Sequence, residues 1–368
     1  MHPDNHFLTV NPGSSSTKVA LTRVERKNEE PVVWVVKEKT LRHPDEELRQ
    51  YAKISEQLEY RFRHVQSFID ELETEFSAVV GRGGLARPVG GGTYVTTSAL
   101  LSDLETGIQG EHPSNLGGLI AHRIGEEMDI PSFIVDPVSV DELSPEARIS
   151  GLPEIQRISL WHALNCRASA RKAAAELGHI LNEVNLVVIH LGSGITVAAM
   201  DKGRAIDVNN ATAEGPFGPD RAGGLPATGV VDLAFSGNYS QSELKRIMMG
   251  RGGFYAYLGT RDMIEIEKRA HEGDEQANLL LRAMVYQIAK EAAAMSSVLL
   301  GNVDAIVITG GMARSKQLTS KMERALRWIA PIIVIPGENE VEALTLGAWR
   351  VLQGVESAAH YPNDSGEG

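Results

Sequence analysis

The chain has a single cysteine, Cys166, in 368 residues. That excludes an intramolecular disulfide and points to a reducing compartment. It has no basic excess. A formal net charge of −12 argues against nucleic acid or an anionic membrane as the main partner, while allowing a local cationic site for a small anion. No apolar run approaches the roughly 20 residues of a membrane span. The start MHPDNH has neither the charged nor the apolar region of a leader, so a cytoplasmic location is expected. The histidines His112, His162 and His190 follow no compact metal spacing and have no cysteine cluster beside them, which disfavours zinc.

What is present points to an α/β protein of two domains. The length exceeds one ordinary core, and strand-like runs alternate with helix-like ones. FLTVN, VALTRV and VVWVVKEKTL read as a three-stranded meander, and a polar, amphipathic region follows from Asp45 to Phe76. FSAVVGRGG is a short strand ending in a Gly-rich turn. Leu116, Leu119, Ile120 and Ile124 have helical spacing behind a Ser114 cap, and PSFIVDP is a strand. The second half starts again. ISLWHALNCRASARKAAAELG reads as a helix ending at Gly178, with Cys166 as core filler. LVVIHLGSGITVAAMDKGRAID reads as a hairpin pair and DEQANLLLRAMVYQIAKEAAAMSSVLLG as a helix closed by Gly301. DAIVITGGMA, SKQLTSKMERALRWI and PIIVIPG read as strand, helix and strand. The end, ESAAHYPNDSGEG, is expected to fray.

LTVNPGSSSTKVAL and VVIHLGSGITVAA show the same pattern: an apolar run, a polar residue, a spacer, Gly-Ser and a second apolar run. Asn11 falls opposite His190, Gly13 opposite Gly192 and Ser14 opposite Ser193, as two copies of one domain would place them. If the repeat holds, two Gly-Ser turns are expected to flank a cleft that could hold a polyphosphate. Hydroxyls, backbone N–H groups and Lys18 gathered at one bend suit a phosphate. The turn is not a Walker A loop, because the second Gly and the following helix are missing. As an isolated turn it equally fits a merely polar hairpin.

Charged residues stand at strand ends, where ligands bind in open α/β sheets. Arg82, between glycines, could meet a ligand or simply be a surface arginine. Asp136 could hold Mg²⁺ or cap a turn. Glu340 could do the same or only begin a helix. His112, His162 and His190 suit donation to phosphate or carboxylate, although His162 could equally be a satisfied core histidine. GPFGPDRAGGLPATG, residues 215–229, is a loop by its Gly and Pro content. Arg221 in it could brace phosphoryl oxygens with its planar fork. ITGGMARS could let a nucleotide lie on its Gly-Gly turn, or be an ordinary tight turn.

Together these segments resemble the acetate and butyrate kinases of the actin-like ATPase superfamily. TVNPGSSSTKVAL, HLGSGITVAA, the loop carrying Arg221 and ITGGMA occur in that family's order along nearly the whole chain. GEHPSNLGGLIA and the spacings look more like butyrate or branched-chain fatty acid kinases. The FHGTSH-type and RVVHGG-type segments of acetate kinases are replaced by LWHALN and VVGRGG. The resemblance implies an α/β fold of duplicated actin-like ATPase (ribonuclease H-like) domains with a cleft between them. The first would comprise residues 1–150 plus 342–368 on the carboxylate side. The second, 151–341, would carry the nucleotide and a homodimer interface. It implies reversible, ATP- and Mg²⁺-dependent phosphorylation of butyrate or a branched analogue to its acyl phosphate, with no nucleic acid or membrane partner.

Carried over by position, Asn11, Ser14, Ser16 and Lys18 would lie near the transferred phosphate and metal. Arg82 and Arg221 would flank the carboxylate and the phosphoryl group, with His162 donating to that group and His112 nearby on the substrate. Asp136, Glu340 and Asn11 would serve Mg²⁺. His190, Gly192, Ser193 and Gly194 would contact the nucleotide phosphates, and Gly310, Gly311, Met312 and Ala313 the adenosine. An acetate or propionate kinase is the alternative within the enzymes; a nucleotide-binding switch ATPase on the same fold is the alternative outside them.

Overall fold

A computed structural model describes residues 5–28 and 30–362. The chain forms two compact units, one of residues up to Val140 together with those from Asn339 onward, the other from Asp141 to Glu338.

In the first unit β1 (His6–Pro12), β2 (Ser16–Lys27) and β3 (Glu30–Arg42) form the expected antiparallel meander. Every residue of β1 is buried, as a central strand covered on both faces requires. β3 is an edge: Trp34, Val35 and Val36 stay about half exposed. β4 (Ala78–Arg82) runs parallel to β1, β6 (Ser132–Val135) parallel to β4, and β5 (Thr93–Val95) closes the far edge antiparallel. The sheet order is therefore β3-β2-β1-β4-β6-β5.

The second unit repeats the plan. β7 (Asn185–Leu191), β8 (Ile195–Asp201) and β9 (Arg204–Val208) form a meander, and β10 (Ala305–Gly310) and β11 (Ile332–Pro336) add parallel strands beside β7. Its order, β11-β10-β7-β8-β9, matches β6-β4-β1-β2-β3 strand for strand. Asn11 and His190 are each the last residue but one of their central strand, so the alignment of the two Gly-Ser turns is a structural duplication. The helices follow it. Helix Ala163–Glu176 packs on β7 and β10, and helix Glu340–Leu352 packs on β1, β4 and β6.

Helix Asn115–Met128 buries Leu116, Leu119, Ile120 and Ile124, as their spacing predicts. It crosses β4 so closely that a Cβ on Gly117 would lie 2.4 Å from the Arg82 carbonyl oxygen. Only glycine permits that approach. Helix Glu340–Leu352 meets β6 in the same way at Gly347, where a Cβ would come within 2.5 Å of Val135.

Several expectations change. Ser114 stands before its helix but does not cap it: its hydroxyl bonds His112 Nδ1 at 2.7 Å. The helix expected from Ile158 begins only at Ala163, because Leu160 is held by the Ala211 N–H and Trp161 is buried. His162 is thus a residue at the helix start and not within it. Gly178, at φ +78°, does close that helix, and Cys166 is fully buried. The loop from 215 ends at Pro226, where helix Ala227–Phe235 starts. The Gly310-Gly311 step leads into a 3-10 turn, Gly311–Arg314, before helix Lys316–Leu326.

The C-terminal segment does not fray over its described part. Ala359 N–H donates to Thr93, and the buried Tyr361 hydroxyl donates to Asp103 at 2.8 Å and accepts from Arg87 N–H. A buried aromatic ring with a satisfied hydroxyl outweighs the polar composition around it. The rest of that expectation, on Asn363–Gly368, and the leader reading at Met1–Asp4 lie outside the described residues. Among the described residues no helix is long and apolar enough to cross a membrane.

Candidate active site

In the first unit Asn11, Arg82 and Glu340 meet. Arg82 ends β4, next to the central strand that carries Asn11, and Glu340 opens the helix laid across both. Arg82 Nη1 pairs with Glu340 Oε1 and points at Asn11 Oδ1 at 3.4 Å, while Asn11 Nδ2 donates to Glu340 Oε2. Lys18 lies directly across from Asn11 in the ladder, so the two side chains share a face. Its ammonium is half exposed and 3.4 Å from Glu38. Asp136 follows β6 at φ +38° and accepts the Gly92 N–H at 2.8 Å with its Oδ1. His112 is exposed and accepts the Ser114 N–H at Nδ1, which places its proton on Nε2.

The turn bearing Ser14 and Ser16 is held from inside by a residue that the sequence reading passed over. Arg61 is fully buried. Its Nη1 donates to the carbonyls of Gly13 at 2.8 Å and Ser16 at 3.2 Å, and its Nη2 to that of Ser14 at 3.1 Å. The Ser15 carbonyl accepts the His43 N–H. With its carbonyls engaged inward and the Gly13 N–H bonded to the Ser16 carbonyl, the turn presents the exposed Ser14 and Ser15 to an anion. Arg61 lies in the apolar stripe with Phe62, Val65 and Phe68. A lone cation in such a stripe was the available signal.

Arg61 also donates to Thr17 Oγ1 at 3.2 Å, and that oxygen is 2.8 Å from His43 Nε2. Burial, with the Arg61 and His64 charges beside it, pulls the His43 pKa from 6.5 to about 4. The unfolded chain therefore takes this proton at a higher pH than the folded one. Stability is expected to fall as pH drops from about 6.5 to about 4, and His43→Gln to flatten that part of the curve. Urea melts of both proteins across this range check it; identical slopes would refute it.

In the second unit His162, His190, Gly192, Ser193, Gly194 and Arg221 come together. The rings of His162 and His190 stack at 4.0 Å and 14°. His162 Nδ1 meets Thr196 Oγ1 at 2.8 Å, and His190 Nδ1 meets Asn165 Oδ1 at 2.6 Å. Ser193 Oγ donates to Asp220 at 3.0 Å, and Asp220 also faces Arg261. Arg221 lies over the turn: a Cβ on Gly194 would be 2.2 Å from its Nη1, which donates to the Ala211 carbonyl at 2.9 Å. Burial lowers its pKa, partly offset by Asp220, yet so strong a base stays charged at neutral pH. Gly310, at φ +92°, runs against Leu191, and a Cβ on Gly311 would meet open space. Ala313 is buried in the core, with Met312 packed against it. Burial pushes the Cys166 thiol pKa up, which keeps it inert.

Among the described residues no group of three or more His, Cys, Asp or Glu could hold a metal ion. Mg²⁺ bound with a nucleotide does not need one, since it takes one or two carboxylates and fills its shell with phosphate and water. The donor set fits: Glu340 and Asn11 carry the oxygen donors that Mg²⁺ takes, and the Glu340 carboxylate already faces a cation, Arg82.

Residues 161–329 match the model of the Acetokinase family. Among solved structures, the acetate kinase of Porphyromonas gingivalis aligns at a TM-score of 0.74 and 18% identity, covering 95% of this chain and 100% of that one. A propionate kinase of Francisella tularensis aligns at 0.70 and 16%, covering 93% and 98%. The acetate kinase of Entamoeba histolytica aligns at 0.70 and 14%, also covering 93% and 98%. The fold is thus the two-domain, duplicated actin-like ATPase type that these kinases share.

Proposed function

We propose that the chain is an ATP-dependent kinase that phosphorylates a short-chain carboxylate, butyrate or a branched analogue, to its acyl phosphate. The observation that carries this reading is Arg82 at the carboxyl end of a parallel strand, with its guanidinium already gripping a carboxylate, Glu340. In a chain of net charge −12, Arg82, Lys18, Arg221 and the histidines would supply the positive groups that the reaction needs.

A carboxylate is already an anionic nucleophile, so no strong general base is required. The barrier lies in bringing it to the γ-phosphate against like charge, which is a task of positioning and electrostatic stabilisation. In this reading Arg82 orients the acid, with His112 beside it. Arg221 and His162 hold the oxygens of the phosphoryl group in flight, and ADP leaves. The turns at Ser14–Ser16, with Lys18, and at Gly192–Gly194, with His190, cradle phosphate oxygens. Gly310 and Gly311, with Met312 and Ala313 behind them, receive the adenosine. Glu340, Asn11 and Asp136 would hold Mg²⁺, which would neutralise phosphate charge. The butyrate preference rests on GEHPSNLGGLIA and the spacing of the motifs; an acetate or propionate kinase fits the comparisons equally well.

Acyl phosphate trapped as hydroxamate with Mg-ATP, across acetate, propionate, butyrate, isobutyrate and isovalerate, tests the reading. The highest kcat/KM is expected for butyrate or a branched acid. One methylene is worth about 1–3 kcal/mol, so neighbouring acids should overlap. A maximum at acetate would keep the reaction and overturn the acyl preference. No product with any acid, while ATP still binds, would favour a switch ATPase.

A homodimer through the second unit belongs to the same proposal. Helix Ala227–Phe235 has no buried residue although it carries Val231, Leu233 and Phe235, the last 87% exposed. Apolar residues left out on one helix are typical of a surface that a partner covers. Light scattering is expected to give a dimer for the native chain and a monomer for Phe235→Asp; an unchanged mass would exclude this helix.

A further inference from the structure

The second unit holds a buried polar contact that the reaction scheme above leaves unused. Asn165, in the first turn of helix Ala163–Glu176, is only 4% exposed. Its Nδ2 donates to the carbonyls of Gly337 at 3.1 Å and Glu338 at 2.6 Å. With both amide hydrogens used, the side-chain oxygen is what remains for His190, and Nδ1 approaches it at 2.6 Å. An amide oxygen only accepts, so His190 must carry its proton on Nδ1. The other nitrogen, Nε2, then lies beside the Gly-Ser turn, 2.7 Å from where a Cβ on Gly192 would be.

His190 in turn supports His162. The rings stack at 4.0 Å, and Thr196, which bonds His162 Nδ1, sits directly across the ladder from His190. Two stacked imidazolium ions would repel, whereas a neutral ring of fixed tautomer offers a flat, uncharged seat. The first unit has a matching arrangement: Asn11, at the equivalent strand position, bonds Glu340 in the first turn of the helix laid on its sheet. That pair is in the proposed site, and its counterpart is Asn165 with His190.

We infer that Asn165 is a positioning residue: it fixes His190 as the Nδ1–H tautomer, and this ring seats His162 for donation to the transferred phosphoryl group. The second half of the inference rests on the carboxylate kinase reading; the first half does not.

Two-bond ¹H–¹⁵N spectra of histidine-labelled protein, with His190 assigned through His190→Gln, read the tautomer directly. The native chain is expected to show Nδ1–H, and Asn165→Ala to shift His190 to Nε2–H. With it, kcat should fall about 10–100-fold, the usual loss when an outer partner is removed, while KM for acid and ATP changes little. Asn165→Asp keeps an acceptor opposite Nδ1 and should retain the Nδ1–H signature, which provides a second variant if the alanine protein does not fold. Nε2–H in the native chain or in Asn165→Asp, or an unmoved tautomer in Asn165→Ala, would overturn the assignment. A shifted tautomer with undiminished kcat would remove the link to His162. Should the native chain phosphorylate no acid, the functional reading fails, and the spectra still decide what Asn165 does.

Discussion

Arg221→Ala is expected to lower kcat by about 10²–10³-fold, the loss typical of one preorganised electrostatic donor. The side chain is largely buried, and one donor is anchored on the Ala211 carbonyl. Its guanidinium lies against the turn at Gly194, a position that only a missing side chain permits. An arginine fixed in this way needs little reorganisation when charge builds on the phosphoryl oxygens, so its effect belongs to the transition state more than to the ground state. The KM for ATP should therefore change much less than kcat. Steady-state kinetics with the best acid, together with a thermal melt to show that the variant folds, check this. Near-normal turnover in a folded variant would remove Arg221 from the chemistry.

Arg82→Ala should cost kcat/KM for the acid a similar factor, about 10²–10³-fold, because both the orientation and the charge balance of the acid are lost. Here KM for the acid should rise along with the fall in kcat, whereas the KM for ATP should hold. Arg82→Lys should recover little, because an ammonium cannot present to a carboxylate the planar pair of N–H groups that a guanidinium offers. The substitution also strands the Glu340 carboxylate, only 17% exposed, so some loss of thermal stability should accompany it. Equal loss with every acid and an unaltered KM for the acid would instead assign Arg82 to the nucleotide side.

These two residues illustrate what could be read from the chain. Arg82 was visible because it ends an apolar run between glycines, and the structure shows why the glycines are there. A Cβ on Gly81 would lie 2.1 Å from the Gly117 carbonyl oxygen of helix Asn115–Met128, one on Gly83 would lie 2.6 Å from Pro137, and Asn115 ties down the following loop through Leu85 N–H. Arg221 was visible because Gly and Pro exclude regular structure around it. Glu340, by contrast, could have been no more than an acidic residue at a helix start. Its pairing with Arg82 spans 258 positions in sequence, and no local pattern encodes such a meeting.

The α/β alternation, the first meander, the hairpin pair of the second half, the paired Gly-Ser turns and the net negative charge are legible in the chain alone. These rest on local periodicity, backbone preferences and composition, which act over a few residues. Which helix lies on which sheet, the clamp of Arg61 beneath the first turn, the meeting of Asn165 with His190 and the anchoring by Tyr361 of a tail expected to be loose emerge only in the folded chain. In the last three cases a buried polar group is satisfied by a partner far away along the chain. The energy of leaving such a group unpaired, about 1–3 kcal/mol, selects the arrangement only once the chain has folded around it.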